Sequence, residues 1–177
     1  MKTLQSINFK NKKALIRVDF NVPLNSQFEV TDATRIVSAK PTIMKVLEDG
    51  GSCILMSHLG RPKSKEPAFS LRHIVSTLET VLGIEVLFSA NCIGQNAQKA
   101  CDNLRPGQVL LLENLRYHSE ETNGGLGFAE ALSNLGDFYI NDAFGTAHRA
   151  HASTTIIAQF FSENKCFGSL LAQEIES

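Results

Sequence analysis

Short, almost wholly apolar runs alternate with stretches of helical periodicity along this chain, and that alternation restricts the folds open to it. Ala14-Leu15-Ile16-Arg17-Val18-Asp19, Ser52-Cys53-Ile54-Leu55-Met56 and Gln108-Val109-Leu110-Leu111-Leu112 read as strands. Asp137-Phe138-Tyr139-Ile140, Cys166-Phe167-Gly168-Ser169-Leu170-Leu171 and the shorter Glu85-Val86-Leu87-Phe88 read the same way. Runs this apolar suit strands covered on both faces, which is the condition of a parallel sheet.

Helical stripes fall between the runs. Ser70 is an N-cap candidate for a helix with Leu71, Ile74, Val75, Leu78 and Leu82 on one face, stopped at Gly83. Ile36, Val37, Ile43, Met44 and Leu47 form a second stripe, which Pro41 is expected to restart at its first turn. Ile93, Ala97, Cys101 and Leu104 make a third, and Phe128, Ala131, Leu132 and Leu135 a weaker fourth. Strand, helix, strand in repetition predicts an α/β fold: a three-layer, doubly wound parallel sheet of about six strands, Rossmann-like. Two segments read as mobile loops, Arg61–Ala68 and Ser119–Gly127, the latter with a flexible turn at Asn123–Gly127.

Composition narrows the function classes. The 177 residues suit one domain, and a net charge of -1 lacks the basic surplus that nucleic-acid or anionic-membrane binding uses. No apolar run approaches a membrane span, and Met1–Phe9 lacks the basic-then-apolar order of a secretory leader. Cys53, Cys92, Cys101 and Cys166 form no C-x-x-C pair, so buried free thiols in a reducing, cytoplasmic setting are expected, with no metal site.

Ligands of parallel α/β sheets bind at the carboxyl ends of the strands. Past the first strand lies Asp19-Phe20-Asn21-Val22-Pro23, and past the second Ser57-His58-Leu59-Gly60-Arg61-Pro62. Glu113-Asn114-Leu115-Arg116 follows the run ending at Leu112, and Asn141 to Arg149 follows the run ending at Ile140. Arg61, Arg116 and Arg149 thus fall on one rim, with Arg35 at the start of the following helix. Guanidinium forks bind phosphate and carboxylate oxygens, whereas Asp19 suits a substrate hydroxyl. The implied ligand is small, doubly anionic and hydroxylated. Each residue alone also has a plainer role: Asp19 and Asn21 as turn formers, Arg61 as a loop cation, His58 as a structural histidine, Arg149 as a surface cation. Their joint placement at strand ends favours a site.

The same segments carry a family resemblance. Arg17–Pro23, Thr31–Ile36, Ser57–Pro62, Leu112–Tyr117 and Asn141–Ser153 resemble, in order, signature stretches of phosphoglycerate kinase. Tyr117 departs from the pattern, standing where phenylalanine is common. That family is a two-lobed enzyme moving a phosphoryl group between 1,3-bisphosphoglycerate and ADP, giving 3-phosphoglycerate and ATP. The resemblance implies that residues 1–171 form the phosphoglycerate-binding lobe and 172–177 begin the connection to a second lobe. Asp19, Asn21 and the backbone around Phe20 would meet the hydroxyl and carboxylate end. His58, Leu59, Gly60 and Arg61, with Arg116 and Arg149, would bind the phosphate, and Arg35 would take the catalytic role at the transferred group. Mg-ATP or Mg-ADP would be bound by the second lobe, and no G-x-x-x-x-G-K-[ST] loop here replaces it. A monomer with negligible turnover on its own is the expectation. The alternatives are a non-catalytic anion-binding sensor of the same fold and a phosphotransferase of another acid.

Overall fold

The computed structural model describes residues 2–143 and 149–169. Six strands build one sheet: β1 (Lys13–Val18), β2 (Ser52–Met56), β3 (Val86–Ser89), β4 (Val109–Leu112), β5 (Phe138–Asp142) and β6 (Lys165–Phe167). Their order is β3-β4-β2-β1-β5-β6, and every pair is parallel. The chain winds from β1 toward β3 on one side and from β5 to β6 on the other, so β1 and β5 flank the point where the winding reverses.

The apolar runs are buried on both faces because alternate side chains serve two separate cores. Ile16, Val18, Cys53, Leu55, Val109, Leu111 and Ile140 enter one. Leu15, Ile54, Met56, Leu110, Leu112 and Tyr139 enter the other. Helices α1 (Thr34–Glu48) and α2 (Val75–Leu82) cover the first face through Ile36, Ile43, Val46, Leu78 and Leu82. Helices α3 (Gln95–Asp102) and α5 (Leu126–Ser133) cover the second through Cys101, Phe128, Ala129 and Leu132. Each fully buried Leu or Ile stabilises the fold by about 1.5–3 kcal/mol, which is why the two stripes fix the layer order. All four cysteines are buried and free.

Local chemistry sets the element ends. Ser70 Oγ accepts from Arg72 N–H and opens a 3-10 turn (Leu71–Ile74) that runs into α2. Gly83, at φ +74°, closes that helix in the left-handed conformation that glycine adopts freely. Two expectations are corrected. Pro41 restarts nothing, for α1 is continuous across it. Pro41 and Val37 are both exposed, so the Val37 carbonyl that loses its helical partner lies on the solvated side. Ser119–Gly127 is no open loop either: helix α4 (Glu120–Asn123) fills its first half, and α5 begins at Leu126. Gly124 (φ +69°) makes a packed corner there, where an added Cβ would stand 2.8 Å from the Ala150 carbonyl oxygen. Leu170 and Leu171 of the expected sixth strand, and the 171/172 boundary, lie outside the described residues.

Candidate anion site at the carboxyl edge of the sheet

The carboxyl ends of β1, β2, β4 and β5 supply the site, and a buried polar frame holds their loops. Asn114, immediately after Glu113 at the end of β4, is fully buried. Its amide side chain accepts from Leu59 N–H (3.2 Å) and Arg116 N–H (3.0 Å) and donates to the carbonyls of Leu59 (2.8 Å) and Phe69 (2.9 Å). Glu113 accepts from Ser70 Oγ (2.6 Å) and Leu71 N–H (2.8 Å), tying β4 to the start of α2. Buried polar groups satisfied in this way stabilise one loop geometry over its alternatives.

Gly60 is the joint between two parts of the site. Its N–H donates to Asn21 Oδ1 at 2.8 Å, and its carbonyl accepts from Arg116 Nη1 at 3.4 Å. Its φ is +63°, and a Cβ there would sit 2.4 Å from the Phe69 ring, so only glycine fits. On the Asn21 side, Arg35 Nη1 donates to the Asn21 carbonyl at 2.8 Å and pairs with Asp19 at 3.3 Å. On the Arg116 side opens a cleft of about 680 Å³, lined by Arg61, Lys63, Arg116, Arg149, His151 and neighbouring residues. Among the described lining residues four are Lys or Arg and none is acidic.

The field in this cleft favours an anion. The Arg116 guanidinium is pulled below its ordinary pKa by burial first, then by the charges of Arg17, Arg61 and Arg149, with Glu121 opposing. His151 is pushed down as well, by burial first, with Glu121 opposing and Arg116, Arg17 and Arg149 adding to the shift. Mutual repulsion of this kind is relieved when an anion enters between the cations. Arg116 Nε and His151 Nδ1 are buried without a hydrogen-bond partner among the described residues.

The expected site residues divide into two groups. Arg61, Arg116 and Arg149 converge on the cleft, while Asp19, Asn21 and Arg35 form a second cluster joined to it through Gly60. Phe20 and Leu59 turn their side chains into the core. The Phe20 N–H is taken by Ser57 Oγ (2.9 Å), and both backbone groups of Leu59 are taken by Asn114. Their part is to shape the loops. Residues 144–148 of the expected rim segment lie outside the described residues, while the Arg149 carbonyl accepts from the hydroxyls of Thr154 and Thr155.

Sequence reading missed a buried cluster beneath the site. Arg17, wholly buried, donates to Ser153 Oγ (2.8 Å), to the Val18 carbonyl and to His58 Nδ1 (2.9 Å), and its Nη2 lies 3.7 Å from Glu121. Glu121 in turn accepts from Ser153 N–H (3.0 Å) and Ser153 Oγ (2.5 Å). A lone arginine within an apolar strand was the available signal, since a buried charge demands a partner. Glu121 carried no such signal, because beside Glu120 it reads as a solvated acid. The Tyr117 hydroxyl also has a task, donating to the Glu66 carbonyl at 2.6 Å and pinning the loop that carries Arg61 and Lys63.

Among the described residues, no three His, Cys, Asp or Glu side chains converge to hold a metal ion, and no helix is long and apolar enough to cross a membrane.

Comparison with known proteins agrees with this architecture. The family model for phosphoglycerate kinase matches residues 4–177. Phosphoglycerate kinase from Porphyromonas gingivalis is 46% identical over 99% of this chain and 48% of its own length. The Moorella thermoacetica enzyme is 49% identical over 99% of this chain and 44% of its own. A wheat relative named as cytosolic phosphoglycerate kinase is 45% identical over 98% of the chain and 43% of its own. The crystal structure of the Pyrococcus horikoshii phosphoglycerate kinase superposes with a TM-score of 0.89 at 29% identity, covering 99% of this chain and 44% of that one. The Coxiella burnetii structure gives 0.87 at 34% identity, covering 99% and 43%. The chain therefore spans under half the length of these relatives, and with that extent of match it belongs to the phosphoglycerate kinase family.

Proposed function

We propose that this chain is the phosphoglycerate-binding part of a cytoplasmic phosphoglycerate kinase, taking up 3-phosphoglycerate or 1,3-bisphosphoglycerate. The observation that carries this reading is the cleft in which Arg61, Arg116 and Arg149 meet with no acid among its described lining residues. Three guanidinium groups offer paired N–H donors to a phosphate dianion, each such charge-assisted bond contributing about 1.5–3 kcal/mol. Across Gly60, Asp19 accepts the substrate hydroxyl while Arg35 and Asn21 meet the carboxyl group. Arg35, with its side chain 53% exposed, is free to follow that group and to stabilise charge spreading over the oxygens of the transferred phosphoryl.

Mg-ATP and Mg-ADP belong to the part of the enzyme that this chain does not include. Phosphoryl transfer needs both substrates held in line, so this chain alone is expected to be a monomer that binds the acid without turnover. Calorimetric titration with 3-phosphoglycerate tests the reading. Saturable binding that weakens as salt rises supports it, whereas tighter binding of an unrelated phosphorylated acid favours a different phosphotransferase or an anion sensor.

A further inference from the structure

Arginine carries five N–H donors and no acceptor, so a ring nitrogen hydrogen-bonded to it must present a lone pair. His58 Nδ1 stands 2.9 Å from Arg17 Nη2. With Nδ1 accepting, the proton of the neutral ring resides on Nε2. Arg17 has little freedom to change this arrangement. Its Nε is bound to Ser153 Oγ and its Nη1 to the Val18 carbonyl, both inside the protein. Glu121, the only acid paired with it among the described residues, is itself fixed by two hydrogen bonds from Ser153.

The groups bearing on the His58 ring come from four directions: Arg17 on β1, Arg116 after β4, His151 beyond β5 and Arg35 on α1. None is a carboxylate, so nothing there rewards a second proton on the ring. Burial acts in the same sense and, with these cations, drives the ring's pKa far down. The ring Nε2 makes no hydrogen bond to any described residue and is not sealed from the surface.

We infer that Arg17 fixes His58 as the neutral tautomer protonated at Nε2, and that Glu121 is the positioning residue that holds Arg17 in place to do so. Resting on the phosphoglycerate-site reading above, this makes His58 a hydrogen-bond donor to the bound anion that neither gains nor loses a proton across the working pH range. His58 then adds no charge to the site and contributes direction.

Long-range proton–nitrogen spectra of the histidine rings in uniformly 15N-labelled chain, recorded without ligand from pH 8 to pH 5, test the inference directly. His58 should show a protonated Nε2 and an unprotonated Nδ1 at every pH. A proton on Nδ1, or a titration with its midpoint near the ordinary ~6.5, overturns it. In folded Glu121→Gln the His58 nitrogens should shift toward exchange-averaged values, and an unchanged pattern removes Glu121 from the account. Should that variant not fold, Ser153→Ala, which takes away the shared hydroxyl and no charge, serves in its place with the same two outcomes. Addition of 3-phosphoglycerate forms a separate arm. A shifted Nε2 proton supports both the inference and the site reading, whereas the expected tautomer with no response to the acid supports the inference and contradicts the site reading.

Discussion

Arg17 and Arg35 lie within one small region and obey opposite physics. Arg17 has no exposed surface, and every one of its contacts is inside the protein, to Glu121, Ser153, Val18 and His58. Arg35 keeps 53% of its side chain exposed, with a single long pairing to Asp19 at 3.3 Å and a bond to the Asn21 carbonyl. Burial lowers the Arg17 pKa, and Glu121, then Tyr139 and Asp19, oppose the shift. Desolvating a guanidinium is costly, and only a complete set of partners offsets it. An arginine so committed can shape loops but cannot follow a substrate. Those at the cleft are less committed, with Arg116 half-buried as the link between the two regimes. Frame and site are thus made of the same residue type, separated by solvent.

The largest test of this contrast is Glu121→Ala. It leaves Arg17 buried without a counter-charge, and we expect a loss of about 3–5 kcal/mol in chemical denaturation. A loss under 1 kcal/mol would dissolve the distinction between frame and site. Arg116→Ala should do the reverse, lowering affinity for 3-phosphoglycerate by roughly 10- to 100-fold, or about 1.5–3 kcal/mol, with the unfolding midpoint little changed.

Acidification addresses the frame again. The pKa of His58 is depressed on folding, so on acidification the unfolded chain takes up the proton first. Its contribution is complete above the unfolded value of ~6.5 and lost as pH falls below it, by at most ~1.4 kcal/mol per pH unit. Unfolding free energies between pH 7.5 and 5 should show that slope, reduced in His58→Gln. Tyr117→Phe removes the bond to the Glu66 carbonyl, and about 1 kcal/mol of loop order with it. It should weaken acid binding by roughly fivefold and leave the core intact. Smallest of all, Arg35→Ala should alter stability by under ~0.5 kcal/mol, because an exposed ion pair contributes little.

Much of the fold was legible because the six apolar runs carry their own answer: a strand apolar at successive positions has to be covered twice. Helix α2 was equally plain, with Ser70 and Gly83 at its ends. Pro41 misled, since the rule that proline opens helices ignores a lost hydrogen bond that faces water. Gly124-Gly125 misled too, because glycines in sequence look the same whether a turn is loose or packed against Ala150. In the site, Arg61, Arg116 and Arg149 were legible through the strand-end rule, which needs no long-range knowledge. Glu121 and Ser153 were not, for their meaning depends on a meeting with Arg17 more than 100 residues away along the chain. Phe20 and Leu59 turn their side chains into the core, which their strand-end position did not reveal.

The most direct test of the central claim is a two-dimensional amide NMR titration of this chain with 3-phosphoglycerate and, separately, with Mg-ATP. Saturable shifts confined to the loops of Asp19, Gly60, Arg116 and Arg149 with the acid, and none with the nucleotide, are the predicted result. A flat response to the acid, or a specific response to Mg-ATP at those loops, would contradict it.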